Sequence, residues 1–468
     1  MILAKPLAKG DRITLTTIYG GKDAVIDAGF GGNYFPVARV DWYPNTTFGD
    51  YATYEMTFRV PKHLTMVGSG IPEMTHVEGS QSISEWKADV PQAVAGFSFA
   101  TYRKEEGTSL DGKYKIEVYA NTQSSIGASL PSMMRRELGE AQLAIQLYTD
   151  YFGPAPYQRL ALTEQPTNLS GQSWPALIYL PHASFQEVYG SASNTLSHGF
   201  WRAVASHEIA HQWFGHAVGI PSYRDNWLSE GFAQFAASLY LQFVFAEQPD
   251  TYPDFLKEWK TELLQKNREG KRPIDVGSVT MGYRLGNSKV GFDVNRLIYS
   301  KGGYILHMLR MMMWNPRDKD EAFKAMMRDY VSTSYNRLSS TEDFKEVVER
   351  HTTREMDQQG NGKMDWFFNQ FVYGTVLPDY NLEASFTPAN GGFIMNAKIT
   401  QSNVNANFMM PVPVYLDFGN NKIVRIGSVR MAGNSTVPLS LPLNGISEAP
   451  KRALLNYNFD VLSTYNGK

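Results

Sequence analysis

Two histidines four residues apart constrain this chain more than any other feature of its sequence. His207 and His211 lie on either side of Glu208 in the segment Ser206-His207-Glu208-Ile209-Ala210-His211. On a helix, side chains at i and i+4 lie on the same face, with Cβ atoms about 5–6 Å apart. Two imidazoles at that spacing can bind one ion through zinc–nitrogen bonds of about 2.0–2.1 Å. The pair therefore predicts a zinc site, with one ion per chain.

Two glutamates complete the predicted site. Glu208 has the usual position of the base that takes a proton from the attacking water in a zinc hydrolase. Two histidines leave a tetrahedral catalytic site one protein ligand short, and a carboxylate oxygen is an accepted third ligand. Glu230 is the candidate because Asp225 or Asn226 can cap a second helix that starts just before it. Two facing helices would then hold three ligands.

Composition excludes several other classes of protein. The 468 residues carry a net charge of −2, and the pI is about 6.5, so there is no basic field to bind nucleic acid. Apolar runs stay well short of the roughly 20 residues that a membrane span needs. The chain has no cysteine, so its zinc ligands must be nitrogen and oxygen atoms. A bacterial periplasmic, secreted or cytoplasmic location remains open, as does the oligomeric state.

The motifs around these residues resemble those of a known family. His207 to Gly215, the eighteen-residue gap after His211, and Trp227-Leu228-Ser229-Glu230-Gly231-Phe232-Ala233 are similar to the gluzincin family of aminopeptidase N and the leukotriene epoxide hydrolase. The resemblance implies that Glu230 is the third zinc ligand, with Ser229 at the position of a family asparagine. It also implies that Tyr299, in Ile298-Tyr299-Ser300-Lys301-Gly302, stabilises the oxyanion. A metzincin is excluded, because Phe214 and Ala217 replace its glycine and third histidine.

The pattern of strands and helices predicts a multidomain α+β protein. Residues 1–122 are typical of an N-terminal β domain, which the resemblance indicates to be incomplete, and 378–468 of a C-terminal β-sandwich. Residues 123–377 predict a thermolysin-like α+β catalytic domain. The predicted strands include 13–19, 51–60, 114–119, 159–163 and 176–180. Helices are predicted over 130–152, 200–214, 227–245, 294–313, 319–332, 341–352 and 364–373, with a capping box at Ser340 and Asp343.

The segment before the zinc helix departs from the family. Family aminopeptidases carry Gly-x-Met-Glu-Asn there, and the glutamate binds the α-ammonium group of the substrate. Here Gly171, Gln172 and Trp174 are the candidate substrate-binding residues, and Trp174 and Pro175 replace the Glu-Asn pair. Trp174 would stack on a substrate side chain or pack in the core. Glu164 is either a substitute acid or a solvated residue at the end of a strand.

These observations predict a zinc metallopeptidase acting on peptides, in its simplest form an aminopeptidase of relaxed specificity. One alternative is a hydrolase that needs no free N-terminus, either a limited endopeptidase or an epoxide hydrolase. Another is a peptide-binding scaffold without activity. Asp225 is expected to accept a hydrogen bond from a ligating histidine or to cap the second helix.

Overall fold

A computed structural model describes residues 5–29, 32–36, 42–45, 50–123, 130–165, 170–185, 198–285 and 293–465, with only the backbone at 198–201 and 283–285. Strands come first, a largely helical region follows, and strands return at the end. This order confirms the predicted α+β class. The exact domain boundaries remain predictions.

The first strands form two antiparallel sheets and open a third. Their bounds are β1 Val25–Asp27, β2 Asn33–Pro36, β3 Ala52–Pro61, β4 Thr65–Gly68, β5 Ile71–Glu78, β6 Gln81–Gln92, β7 Phe97–Ala100, β8 Tyr102–Thr108 and β9 Lys115–Asn121. The sheet orders are β1-β2-β7-β4 and β3-β6-β5. The predicted strand at 13–19 is wrong, because this segment has no regular structure and Ile18 is 95% exposed. Alternation alone does not make a strand without a neighbouring strand to accept its hydrogen bonds.

The central region places helices against a five-stranded sheet of order β11-β12-β10-β9-β8. Its strands and helices are α1 Leu130–Phe152, β10 Arg159–Gln165, β11 Gln172–Trp174, β12 Leu177–Pro181, α2 His182–Phe185, α3 His198–Ala210, β13 Val218–Gly219, α4 Trp227–Val244, α5 Thr251–Leu264, α6 Asp293–Arg296, α7 Gly302–Met313, α8 Glu321–Ser334, β14 Arg337–Leu338, α9 Thr341–Arg350 and α10 Asp365–Phe367. Helix α5, which the sequence pattern did not predict, carries Pro253 in its first turn, where proline is tolerated. The predicted capping box at Ser340 and Asp343 is confirmed.

The last part of the chain forms two three-stranded antiparallel sheets, as the predicted sandwich requires. The strands are β15 Asp379–Ala389, β16 Gly392–Ser402, β17 Met409–Asp417, β18 Ile423–Ala432, β19 Ser435–Asn444 and β20 Arg452–Leu455. Their orders are β15-β16-β19 and β18-β17-β20. Their buried side chains join the core of the helical region in one cluster. No helix of the described residues is long and apolar enough to cross a membrane.

A buried arginine connects the first sheets to the five-stranded sheet. Arg159 on β10 is 3% exposed and places Nε 2.6 Å from Glu117 Oε2. Its Nη1 donates to the carbonyl oxygens of Gly68 and Gly70. Burial alone would raise the pKa of Glu117, but Arg159 and two lysines outweigh burial and lower it to about 2. The carboxylate is therefore stabilised in its ionised form at the junction.

Acid should weaken this junction in a defined pH range. The depressed pKa of Glu117 means that its contribution is complete above about pH 4.5 and is lost as the pH falls towards 2. The variant Glu117→Gln should lower the free energy of unfolding by about 3 kcal/mol at pH 7, because it breaks a buried ion pair. In urea titrations, the difference in free energy of unfolding between Glu117→Gln and the parent protein should become smaller below pH 4.5. The control Glu73→Gln, which changes an exposed carboxylate, should unfold like the parent protein at every pH. A difference for Glu117→Gln that stays constant down to pH 2.5 would contradict the lowered pKa of Glu117.

Candidate metal and catalytic centre

Three side chains from two helices meet at one point. His207 lies in the last turn of α3, His211 follows directly after that helix, and Glu230 lies in the first turn of α4. The two Nε2 atoms are 3.2 Å apart, and Glu230 Oε2 is 3.5 Å from His207 Nε2 and 3.1 Å from His211 Nε2. Each residue is 8% exposed or less. The structure thus brings together the three residues that the sequence nominated as metal ligands.

These distances fit a tetrahedral ion. Atoms that bind one zinc ion through bonds of about 2.0–2.1 Å lie about 3.3 Å apart. The three observed separations bracket that value. Two imidazoles and one carboxylate are also a donor set that catalytic zinc commonly uses. The described residues contain no second group of three such side chains that could hold a metal.

The charges at this centre are strongly coupled. Burial alone would lower the pKa of His211, but the charge and hydrogen bond of Glu230 outweigh it and raise the pKa to about 9. Burial by itself would raise the pKa of Glu230, whereas the two histidines together hold it well below its ordinary value. A metal ligand must be deprotonated, so binding of a cation here has to displace the proton of His211.

Glu208 lies beside the three candidate ligands and is 7% exposed. Burial raises its pKa to about 8; the charge of His211 lowers this pKa and that of Glu230 raises it, each by less than burial does. A carboxylate with a pKa near neutrality can both accept and return a proton at neutral pH, which is what a general base in hydrolysis must do. Gly171 borders it so closely that a Cβ atom there would lie 2.4 Å from Glu208 Oε1. A side chain at position 171 would therefore displace the carboxylate.

The turn after α3 fixes the orientation of His211. Its Nδ1 lies 2.9 Å from the carbonyl oxygen of Phe214 and 3.2 Å from Ser229 Oγ. Gly215 makes the turn possible, since it has a φ of 106° and a Cβ atom there would lie 2.4 Å from Ser229 Oγ. Residues with side chains rarely adopt that φ. The small Ser229 thus contacts His211 from the neighbouring helix.

Tyr299 comes from a π-helical turn, Leu297–Lys301, between α6 and α7. Such turns are frequent at functional sites. Its ring lies parallel to the imidazole of His207, with centroids 5.8 Å apart and an interplanar angle of 11°. A close approach of two glycines sets this position, because a Cβ atom on Gly231 would lie 2.7 Å from the Cα atom of Gly302. The glycine pair therefore keeps the turn of Tyr299 next to the helix of Glu230.

Of the two roles predicted for Trp174, the structure shows packing in the core and gives no support to substrate binding. Trp174 is 3% exposed and belongs to the apolar cluster shared with the first sheets. A Cβ atom on Gly96 would lie 2.5 Å from its indole, and its ring centroid is 6.1 Å from that of Tyr179. The side chain is packed because it joins two sheets, which the local sequence does not reveal. Gln172, half-buried on the same strand, donates from its side chain to the carbonyl oxygen of Ser173.

Asp225 also differs from the prediction. Its Oδ1 accepts hydrogen bonds from the backbone N and the Oγ1 of Thr341, both at 2.9 Å, and its Oδ2 accepts from Ser222. It contacts the start of α9 rather than a ligating histidine. The N-cap position of α4 is held by Asn226, whose side chain makes no capping hydrogen bond. The sequence could not show this, because Thr341 is 116 residues further along the chain.

Glu164 fits neither interpretation of the sequence. It is fully buried, its Oε2 accepts from the backbone N of Asn121 at 2.8 Å, and its Oε1 contacts His182 Nδ1. It is therefore neither solvated nor available to bind a substrate ammonium group. Gln212, which was not among the predicted site residues, makes three hydrogen bonds through its amide to the segment around β11. Its position directly after His211 was the only signal for it in the sequence.

Comparison with known proteins agrees with this geometry. The model of the peptidase family M1 domain matches residues 184–371, a range that contains all three candidate ligands, Glu208 and Tyr299. Over this range, which is less than half of the chain, the sequence is similar to the gluzincin family of aminopeptidase N. Among the family's curated relatives, aminopeptidase M1-B of Oryza sativa subsp. japonica is 24% identical over 307 residues, which cover 64% of this chain and 33% of the relative. Aminopeptidase N of Plutella xylostella is 22% identical over 320 residues, which cover 66% of this chain and 31% of the relative.

Solved structures of the family share the fold. Legionella pneumophila aminopeptidase A, in complex with aspartic acid, matches 95% of this chain and 48% of its own, with a TM-score of 0.68 and 15% identity. A second similar structure is a zinc metallopeptidase from Deinococcus radiodurans bound to a Tyr-Ser-Ala substrate. The match covers 74% of this chain and 70% of that protein, with a TM-score of 0.56 and 20% identity. The chain spans about a third of the length of the two curated relatives named above.

Proposed function

We propose that this chain is a zinc-dependent metallopeptidase that hydrolyses peptide bonds as an aminopeptidase. The observation that supports it best is the convergence of His207, His211 and Glu230 at metal-ligand distances, with Glu208 beside them. The family match and the aminopeptidase relatives support the same reaction. A non-catalytic scaffold would have no need for the buried Glu208.

Each residue of the site has its own role in the proposed reaction. His207, His211 and Glu230 would hold one zinc ion, which would lower the pKa of water and polarise the scissile carbonyl. Glu208 accepts the proton of the attacking water and donates it to the leaving amine. The Tyr299 hydroxyl donates a hydrogen bond to the carbonyl oxygen as negative charge develops there, a contribution of about 3 kcal/mol in comparable sites. The backbone at Gly171 borders Glu208 and offers the peptide an edge strand to pair with.

A second candidate is a hydrolase that does not require a free N-terminus, acting as a limited endopeptidase or an epoxide hydrolase. The observation that favours it is Trp174, which stands where the family glutamate binds the substrate ammonium group and is packed in the core. A charge-assisted bond to ammonium is worth kilocalories, so its loss should weaken selection for free amino termini. The position of Glu164, with both carboxylate oxygens engaged, offers no substitute.

Matched peptides with free and acetylated amino termini separate these functions. With zinc-loaded protein we expect stepwise removal of residues from the free amino end, detected by mass spectrometry, and loss of cleavage after chelation that added zinc restores. Cleavage of the acetylated peptide at an equal or higher rate would replace the aminopeptidase proposal with the second candidate. Intact recovery of both peptides from zinc-replete protein would contradict both hydrolase proposals and leave peptide binding alone.

A further inference from the structure

The strand next to Glu208 forms the end of its sheet. β11 pairs with β12, with Ser173 opposite Ile178, and no other described strand pairs with it. Gly171, immediately before β11, lies against the Glu208 carboxylate. A peptide that adds to the open edge of β11 would therefore be placed relative to Glu208 by the position of this short strand. A strand of three residues has few backbone hydrogen bonds of its own to hold that position.

Gln212 ties this strand to the metal centre. It directly follows His211, is 3% exposed, and accepts a hydrogen bond at Oε1 from the backbone N of Ala176 at 2.8 Å. Its Nε2 donates to Ser173 Oγ at 2.7 Å and to the carbonyl oxygen of Trp174 at 3.1 Å. The orientation of the amide is unambiguous, because a backbone N–H can only donate and a carbonyl can only accept. One side chain thus satisfies polar groups on β11 and on the turn that follows it.

The turn that Gln212 holds is conformationally unfavourable. Ala176 has a φ of 62°, a left-handed conformation that residues with a side chain seldom adopt unless their surroundings impose it. Its N–H is bonded to Gln212, and its carbonyl oxygen accepts from the backbone N of Ala161. The hydrogen bond that Ala176 donates to Gln212 therefore supports a backbone conformation that would otherwise relax and move β11.

We propose that Gln212 is a positioning residue that sets the distance between the substrate-binding edge of β11 and Glu208. Its amide is bonded to Ser173, Trp174 and Ala176, and Gln212 acts through these residues. The inference rests on the proposed peptidase function, because the strand matters only if a peptide pairs with it. Substrates that pair with β11 over several residues should depend on Gln212 more than a minimal substrate does.

The variant Gln212→Met tests this, since it keeps the length of the side chain and removes all three hydrogen bonds. We expect unchanged zinc content, a loss of about tenfold or more in kcat/KM for a six-residue peptide, and a loss below about threefold for an aminoacyl anilide. Hydrogen exchange should speed up in peptides covering 171–181 but not in those covering 202–210. Gln370→Met is the matched control, because the Gln370 amide both donates to and accepts from the backbone of Met409, on β17 rather than β11.

Equal losses for both substrates, or unchanged exchange at 171–181, would overturn the proposal. If Gln212→Met does not fold, Gln212→Glu serves instead, because it keeps the acceptor for Ala176 and loses the donor to Trp174. For Gln212→Glu we then expect a smaller loss of kcat/KM that is still confined to the six-residue peptide. Unchanged kinetics of this variant would overturn the proposal. A wild-type protein that cleaves neither substrate would refute the proposed function, whereas the exchange measurement would still test the role of Gln212.

Discussion

Replacing Glu208 by glutamine is expected to lower kcat by about 10²–10⁴-fold while the protein keeps its zinc. The amide has nearly the same shape as the carboxylate but cannot take a proton from water. Glu208 is buried, and burial raises its pKa to about 8, so the group is set to exchange a proton near neutral pH. The donor atoms for the metal would not change, because His207, His211 and Glu230 would provide them.

The measurement is a steady-state assay on a free peptide, together with zinc content by mass spectrometry and the melting temperature. Glu346→Gln, an exposed residue of α9, is the matched control and should leave all three unchanged. Turnover by zinc-replete Glu208→Gln within tenfold of the parent protein would rule out Glu208 as the proton acceptor. Loss of zinc in this variant would instead place Glu208 among the ligands, contrary to the proposed set of His207, His211 and Glu230.

Replacing Glu230 by glutamine should release zinc and abolish turnover. The carboxylate is the only negatively charged candidate ligand, and its Oε2 lies 3.1 Å from His211 Nε2. Loss of a partner that merely supports a ligand costs about 10–100-fold in metal affinity, so loss of a charged ligand should cost more. The proposed third ligand would be replaced by a neutral amide oxygen, a much weaker donor for a dication.

Zinc affinity, measured by competition with a chromophoric chelator, tests this directly. Glu269→Gln, which changes an exposed carboxylate away from the metal centre, controls for the altered net charge. An affinity for Glu230→Gln within fivefold of the parent value would mean that Glu230 is not a ligand. Because zinc must displace the proton of His211, whose pKa is raised to about 9, the parent affinity should also increase with pH through neutrality.

Local patterns determined much of this protein. The spacing of His207 and His211 requires only one helical turn, and the observed Nε2 separation of 3.2 Å follows from it. The helix over 130–152 was predicted to the residue, because Gly153 and Pro154 end it. The capping box at Ser340 and Asp343 lies within four consecutive residues. Each of these features depends on neighbours in sequence, which is why the sequence alone reveals it.

Contacts between distant parts of the chain decided the rest. Trp174 packs on Gly96, Asp225 bonds Thr341, and Gln212 reaches Ser173, although no local pattern links these pairs. The segment 13–19 has the alternation of a strand but no partner among the described strands. A side chain's direction and hydrogen bonds depend on what the fold brings next to it. Sequence thus identifies the residues that can bind a metal and move a proton, whereas tertiary packing decides which neighbours hold them in place.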